Sequence, residues 1–195
     1  MKFGVLLAVL FLAYLIGSFP FGLLVGKLAG IDIRKYGSGN IGATNIYRVL
    51  GPVPGLVVLM ADFLKGALAI LTTKLLLGSQ PLLITLVAMA VILGHSFSLF
   101  LKFKGGKGVA TTAGVLLGIN FSLLVICLVI FLLIVITTRY VSLGSIMVAV
   151  LVPFLILFAR LPSPYFVLGL FIAFLISWQH KENIKRLLKG YENKI

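Results

Sequence analysis

Long apolar segments separated by short polar stretches run along the chain almost to its end. We place seven of them, at about 3–26, 53–77, 81–101, 107–118, 120–138, 142–160 and 163–179. A helix of about 20 apolar residues crosses a bilayer with its own backbone polar groups satisfied. The pattern therefore predicts an all-α, polytopic integral membrane protein, a seven-transmembrane-helix bundle that forms a single domain over residues 1–195.

Two of these segments depart from a simple span. Gly17 and Pro20 predict a kink within the first segment, because proline interrupts the hydrogen bonds of a helix. As one helix, the stretch 107–138 would be far longer than a hydrocarbon core of about 30 Å, and Gly118 and Asn120 offer a place to divide it. The short fourth helix that results cannot cross the core untilted, so we expect it to line a cavity.

Composition and charge support this architecture and orient it. The chain is 61% hydrophobic and 11% charged, with a mean hydropathy of +1.22, whereas soluble domains carry about 25% charged residues. It has 17 Lys and Arg against 4 Asp and Glu. With the N-terminus outside, nearly all basic residues fall inside, which satisfies the positive-inside rule. We therefore expect a cytoplasmic C-terminus, cytoplasmic polar loops, and contact with anionic membrane lipid rather than nucleic acid.

The first polar cluster is YGSGNIGATNIYR, between the first two spans. Its glycines match G-x-G-x-x-G only formally, since no strand or βαβ unit surrounds them. Glycines still allow successive N–H groups to converge on an anion, and Arg48 adds a bidentate donor. The alternative is an ordinary interfacial turn, which seldom combines so many polar residue types. The candidate residues are Ser38, Gly39, Asn40, Gly42, Thr44, Asn45 and Arg48.

The second cluster, GHSFSLFLKFKGGKGVATT, runs from the end of the third span into the start of the fourth. It is not a nucleotide-binding P-loop, because Gly108 follows Lys107 where Ser or Thr is required. Glycines and lysines that lead straight into a helix instead predict a phosphate site. Lysines that only anchor the chain at the interface would not explain the glycines. His95 by itself is more typical of a packing residue than of a catalyst. The candidate residues are His95, Lys104, Gly105, Gly106, Lys107, Gly108 and Thr111.

Two further clusters follow the fifth and seventh spans. In RYVSLGS, Ser142 and Ser145 are one helical turn apart, and they either cap a helix or bind a ligand. In HKENIKR, His180 and Asn183 face the same way on a helix. The basic neighbours of this pair fit the flank expected on the cytoplasmic side, but the pair itself does not, so we treat both residues as candidates.

Carboxylates are scarce around these clusters, which limits the chemistry. Mg-nucleotide reactions need an acidic metal ligand and no zinc-binding spacing occurs, so we expect neither a metal nor another cofactor. A catalytic triad would need Asp or Glu beside a histidine, and only Asp32 and Glu182 lie near the loops. Asp62 and Lys65, one turn apart in the second span, predict a structural ion pair. What remains is a site for one or two phosphates beside a hydrocarbon phase.

Three stretches, SGNIGATNIYR, GHSFSLFLKFKGGKGVAT and HKENIKRLL, resemble the three cytoplasmic motifs of the acyl-phosphate-dependent glycerol-3-phosphate acyltransferases of bacterial membranes, the PlsY family. The resemblance covers the whole chain in motif order, length and hydropathy. It implies a seven-helix enzyme of the bacterial cytoplasmic (inner) membrane. The reaction would move a fatty acyl group from acyl phosphate to the 1-hydroxyl of sn-glycerol 3-phosphate. The products would be lysophosphatidic acid and phosphate, in the first acylation of phospholipid synthesis.

With that reaction in view, we assign roles to the candidates as hypotheses. The loop 38–45, with either serine of the third cluster, would hold the head of the acyl phosphate. Arg48, Lys104 and Lys107 would bind glycerol 3-phosphate and neutralise the departing phosphate. The acceptor would be oriented by His180 and Asn183, and its hydroxyl proton would pass either to a substrate phosphate oxygen or to His180. We group as catalytic Ser38, Arg48, Lys107, His180 and Asn183, and the other candidates as substrate-binding.

Two other classes of protein remain open. A transporter of phosphorylated solutes is expected to show inverted repeats and broken helices in matching halves, and neither is evident. A structural subunit whose basic loops only grip anionic lipid would release no phosphate. The sequence also leaves open the preferred acyl chain length, the oligomeric state, and whether the enzyme that produces acyl phosphate is a partner.

Overall fold

The computed structural model describes residues 3–195, and over that range it contains ten α-helices and two short 3-10 turns. The α-helices are α1 (Phe3–Ser18), α2 (Phe21–Leu28), α3 (Ala43–Leu50), α4 (Pro52–Leu77), α5 (Pro81–Ser96), α6 (Val109–Ile119), α7 (Phe121–Thr138), α8 (Val141–Phe158), α9 (Ser163–Gln179) and α10 (Lys181–Leu188). The turns cover Ile33–Lys35 and Leu99–Leu101. All seven predicted apolar segments are helical: the first is the pair α1–α2, and the others are α4 to α9.

Not every apolar helix has the length of a membrane span. By length and composition five segments qualify: α1 with α2, α4, α5 with the turn after it, α7 and α8. A sixth is added if α9 and α10, which are bent by 64° at their junction, are counted as one. α6 has only 11 residues. The prediction of an all-helical chain with several spans is therefore confirmed over the described residues, and the count of seven and the orientation remain predictions.

Two predicted interruptions appear where the sequence placed them. α1 ends and α2 begins on either side of Pro20. Asn120 separates α6 from α7: its backbone is extended, and its Oδ1 accepts a hydrogen bond from the N–H of Leu123 at 2.8 Å. This cap satisfies one N–H group in the first turn of α7, so a new helix starts there. The predicted division of 107–138 is confirmed.

α6 packs closely along α4 because glycines remove the side chains between them. A Cβ added at Gly66 would lie 2.1 Å from the carbonyl oxygen of Thr111, and one at Gly114 would lie 1.9 Å from that of Phe63. Small residues allow such close approach of helices in membranes. With one face held against α4, α6 presents another face to an internal cavity, as predicted for this short helix.

The core and the lipid-facing surface are unevenly shared among the helices. The main core surrounds α5, α8 and α9, where Val91, Val152 and Ile172 are almost fully buried. A smaller cluster centred on Ile33 and Ile46 lies under the connection between α2 and α4. α7 is the least buried of the spans, so it forms a thin wall between the interior and the lipid.

Candidate active site

A cavity of about 290 Å³ lies inside the bundle and brings together segments that are far apart in sequence. Its mouth is polar and its deeper walls, from α6 to α9, are apolar. Thirteen of the predicted site residues line it: Ser38, Asn40, Gly42, Thr44, Asn45, Arg48, His95, Lys107, Gly108, Ser142, Ser145, His180 and Asn183. The four polar clusters therefore meet at one end of the bundle, as expected if they share one face of the membrane.

The loop before α3 is shaped by the side chain of Asn45, which is almost fully buried. Its Oδ1 accepts a hydrogen bond from the N–H of Ser38 at 2.8 Å, and its Nδ2 donates to the carbonyl oxygen of Asn40 at 2.8 Å. Asn40 in turn accepts from the N–H of Gly42 at 2.8 Å. These bonds hold the loop in a fixed shape at the mouth. The amide of Asn45 is thus engaged in positioning the loop rather than presented to a ligand.

Lys107 is connected to the C-terminal tail through a chain of hydrogen bonds. Its Nζ donates to Oδ1 of Asn183 at 2.5 Å, and Nδ2 of Asn183 donates to Glu192 at 2.6 Å. Glu192 also accepts from Oγ of Ser142 at 2.9 Å and from Nε of Arg186 at 2.7 Å. Burial favours the neutral acid, but these hydrogen bonds outweigh it and lower the pKa of Glu192. The carboxylate of Glu192 in the tail therefore connects the second, third and fourth polar clusters through hydrogen bonds.

The mouth carries two cations from different segments, Arg48 and Lys107. Burial lowers the pKa of Lys107 to about 8, so it is mostly protonated at neutral pH but titrates just above it. Burial also lowers the pKa of Arg48, which stays charged because guanidinium begins far higher. Arg48 donates to the carbonyl oxygen of Asn193 at 3.0 Å, and its buried Nε has no hydrogen-bond partner within residues 3–195. Both cations can therefore attract an anion into the mouth.

His180 sits at the bend between α9 and α10 and is 3% exposed. Its Nδ1 lies 2.8 Å from the carbonyl oxygen of Ile176. A carbonyl oxygen can only accept, so Nδ1 carries the proton and Nε2 keeps its lone pair for a ligand. Burial, reinforced by the charge of Lys107, lowers the pKa of His180 to about 4. At neutral pH the ring is a neutral acceptor and a weak base.

Five predicted substrate-binding residues do not line the cavity: Gly39, Lys104, Gly105, Gly106 and Thr111. Lys104 is exposed and Thr111 is fully buried. The N–H groups of Gly105 and Gly106 donate to the carbonyl oxygens of Ser96 and His95, at 3.1 and 3.0 Å. Both N–H groups are therefore used within the protein, and the expectation that they face an anion gains no support from the geometry.

The glycine pair has a packing role instead. A Cβ added at Gly106 would lie 2.2 Å from Nε2 of His95, and one at Gly105 would lie 2.0 Å from the carbonyl oxygen of His95. The loop can lie flat against this histidine only because both residues lack a side chain. This contact fixes the position from which Lys107 enters the cavity.

A buried ionic cluster lies below the mouth. Nζ of Lys65 is 2.8 Å from Oδ1 of Asp62, which confirms the predicted ion pair, and Nδ1 of His95 is 3.5 Å from the same oxygen. The expectation that no other carboxylate lies near the histidines is wrong, because Asp62 approaches His95 from a different span. Within residues 3–195, no group of three His, Cys, Asp or Glu side chains lies close enough to hold a metal ion.

Among the lining residues with hydrogen-bonding or charged side chains, the sequence analysis did not name three as site residues: Asp62, Thr112 and Glu192. Asp62 is the only acidic residue within the seven apolar segments. Burying a carboxylate in a membrane span is energetically unfavourable, so its presence there already indicates a functional residue. Glu192 lies beyond the last basic cluster, and only the folding back of the tail brings it to the mouth. The Oγ1 of Thr112 is buried without a hydrogen-bond partner within the described chain, so it is available to a ligand.

Comparison with known proteins identifies relatives along nearly the whole chain. The family model for glycerol-3-phosphate acyltransferase matches residues 7–190. A glycerol-3-phosphate acyltransferase of Carboxydothermus hydrogenoformans is 48% identical over 185 residues, which cover 94% of this chain and 93% of the relative. Glycerol-3-phosphate acyltransferase 2 of Moorella thermoacetica is 50% identical over 190 residues, 97% of each chain.

A solved structure is also similar to this chain, in both fold and sequence, over nearly its whole length. It is the glycerol 3-phosphate form of PlsY (YgiH), an integral membrane glycerol 3-phosphate acyltransferase, and it is similar to this chain with a TM-score of 0.94 and 39% identity. The match covers 98% of this chain and 96% of that one. A lysophosphatidic acid form of PlsY matches with a TM-score of 0.92 and 38% identity.

Fold and cavity together define a multi-pass membrane protein whose cationic mouth opens into an apolar interior. Within that class, the chain belongs to the glycerol-3-phosphate acyltransferase family, the PlsY family, as its three motifs predicted. It is therefore a membrane acyltransferase of phospholipid biosynthesis.

Proposed function

We propose that this protein transfers a fatty acyl group from acyl phosphate to the 1-hydroxyl of sn-glycerol 3-phosphate. The products are lysophosphatidic acid and phosphate, and the reaction needs no cofactor. The observation that carries the proposal is the single cavity of about 290 Å³, which joins a cationic mouth to an apolar interior. One site can thus hold a phosphate and a hydrocarbon chain at once, as both the donor and the product require.

The donor fits the side of the mouth formed by the loop before α3 and the start of α8. Ser38, Ser142 and Ser145 line the cavity along this edge. A phosphate held there lets its acyl chain descend among hydrophobic side chains. This arrangement supports acyl phosphate, whose compact head is joined directly to the chain.

The acceptor fits the cationic side of the mouth. Arg48 and Lys107 supply charge-assisted hydrogen bonds to the phosphate of glycerol 3-phosphate and neutralise the phosphate that leaves. Solved structures similar to this chain are a glycerol 3-phosphate form and a lysophosphatidic acid form of PlsY. Those two forms correspond to the acceptor and the product of the proposed reaction.

The 1-oxygen of the acceptor attacks the carbonyl carbon of the donor and forms the new ester bond. The bond between that carbon and the phosphate oxygen breaks, and phosphate leaves. The hydroxyl proton needs a base. His180, with a pKa lowered to about 4 by burial, is a weaker base than a phosphate monoester, whose second pKa is about 6. We therefore assign the proton to a substrate phosphate oxygen. His180 accepts a hydrogen bond from the hydroxyl through Nε2 and orients it for attack.

We also propose that the chain lies in the bacterial inner membrane with seven spans, the N-terminus outside and the mouth of the cavity facing the cytoplasm. The meeting of all four basic and polar clusters at one end of the bundle supports this orientation, because basic residues concentrate on the cytoplasmic side. Cysteine accessibility from each side of sealed vesicles tests it: Lys2 and Lys74 replaced by Cys should label only from outside.

The reaction is tested by phosphate release from purified protein in detergent or lipid. Palmitoyl phosphate is supplied with and without sn-glycerol 3-phosphate, and palmitoyl-CoA serves as the control donor. Release that depends on glycerol 3-phosphate, together with lysophosphatidic acid in the lipid extract, supports the proposal. Product formation from palmitoyl-CoA would overturn the choice of donor. No release from folded protein would overturn the reaction and favour transport of a phosphate ester.

A further inference from the structure

We propose that the small side chains of Ala149 and Val152 on α8 leave room for a long donor chain to pass down the cavity, and that their size thereby determines the acyl chain length. Both residues line the cavity and are at least 98% buried. This inference rests on the proposed acyl transfer. It assigns the residues that select the acyl chain length of the donor.

The depth of the cavity follows from the helices that line it. Ser142 lies at the polar mouth, and Val152 is ten residues further along α8, about 15 Å at 1.5 Å per residue. On α9, which runs the other way, Ile172 lies eight residues from His180 at the mouth, about 12 Å. On α7 the lining continues to Leu124, fourteen residues from Thr138 at the mouth end of that helix, about 21 Å. The lower limit of the lining is therefore about 21 Å from the mouth, a depth that an extended chain of about 16 carbons reaches.

Packed core closes the cavity below that limit. Leu123 on α7, Ile156 on α8 and Leu168 on α9 continue beyond the lining residues, and each is at least 98% buried within the main core cluster. A chain that extends beyond Val152 and Leu124 therefore meets close-packed side chains rather than open space, and close-packed cores tolerate additional volume poorly.

The depth converts into a number of carbons. An extended hydrocarbon with bonds of about 1.5 Å and angles of about 111° advances about 1.25 Å per carbon. About eight carbons reach the level of Ala149, seven residues or about 10 Å from Ser142, and about twelve reach the level of Val152. The two residues thus act at different distances from the head group.

This difference gives a graded test. The variants Ala149→Phe and Val152→Phe are compared with the wild type on acyl phosphates of 8, 10 and 16 carbons, with kcat/KM taken from phosphate release. Ala149→Phe should lower kcat/KM about tenfold for the 10- and 16-carbon donors relative to the 8-carbon donor. Val152→Phe should lower it about tenfold for the 16-carbon donor alone. The matched control is Val150→Phe, on the same helix but 41% exposed, which should leave all ratios unchanged.

The outcomes separate the inference from the function on which it rests. Wild-type protein that releases no phosphate from any donor overturns the acyl-transfer proposal and this inference with it. An active wild type whose ratios are unchanged in both variants overturns the inference alone, and shows that the chain leaves the cavity sideways towards the lipid. If Ala149→Phe fails to fold, Ala149→Leu and Val152→Phe decide the question by the same ratios.

Discussion

Replacing Lys107 with Met removes the one ammonium group that reaches the mouth of the cavity from the loop before α6. In the proposed complex that group makes a charge-assisted hydrogen bond with a phosphate, worth about 1.5–3 kcal/mol. At 1.4 kcal/mol per factor of ten, its loss should raise the KM for glycerol 3-phosphate by about 10- to 150-fold. Methionine keeps most of the length and the apolar stem, so the cavity wall is preserved.

The assay is phosphate release from palmitoyl phosphate as the concentration of glycerol 3-phosphate is varied. Lys102→Met is the matched control, because Lys102 lies in the same loop, is exposed and does not line the cavity. Its KM should stay within about twofold of the wild type, as for surface changes in general. A Lys107→Met enzyme with the wild-type KM would refute the assignment, whatever happened to its kcat.

The pH dependence gives an independent check on the same residue. Burial lowers the pKa of Lys107 to about 8, so the ammonium is present below pH 8 and is lost as the pH rises through that value. Because the charged form binds the anion, kcat/KM for glycerol 3-phosphate should be constant from about pH 7 and fall above pH 8, approaching tenfold per pH unit. In Lys107→Arg the fall should move beyond pH 9, since guanidinium stays protonated. A wild-type profile that is flat to pH 10 would contradict this.

Three further substitutions test other parts of the site. His180→Phe should abolish turnover while the melting temperature stays near that of the wild type, because it removes the Nε2 acceptor but keeps the ring; an active variant would exclude this histidine. Gly106→Ala should lower both activity and melting temperature, because its Cβ would lie 2.2 Å from Nε2 of His95; unchanged values for both would show that the loop moves freely. Asp62→Asn should destabilise the protein by about 3 kcal/mol in denaturant unfolding, because Lys65 would stay buried without its carboxylate; a loss below about 1 kcal/mol would show that this lysine is neutral.

The helices could be predicted because the signals for them are local. Apolar segments of sufficient length specify the spans, Pro20 marks the break between α1 and α2, and Asn120 supplies the cap that divides α6 from α7. Residues one turn apart also share a face wherever the helix continues, which is why the ion pair of Asp62 and Lys65 was predictable. Each of these inferences needs only the chain within a few residues of the feature.

Contacts between distant segments could not be predicted in the same way. The carboxylate beside His95 comes from another span, and nothing in the sequence near either residue gives the angle at which α4 and α5 meet. Glu192 reaches Ser142 and Asn183 only because α10 is bent by 64° from α9 and the tail then folds back. The sequence shows which carboxylates are present, but it does not show which cations and amides they contact in the folded protein.

The GGKG run shows how one pattern supports two physical interpretations. Glycines next to a lysine suit an anion cradle when their N–H groups point outward, and suit close packing when a neighbouring side chain occupies the space of the absent Cβ. The direction of the N–H groups decides between them. At Gly105 and Gly106 they donate to the carbonyl oxygens of Ser96 and His95, so the run positions Lys107 by packing. In the proposed complex, the charge that meets the phosphate belongs to the lysine. Substituting either glycine should therefore change the placement of that charge, and a variant that lost activity through this route would show a raised KM for glycerol 3-phosphate before any loss of kcat.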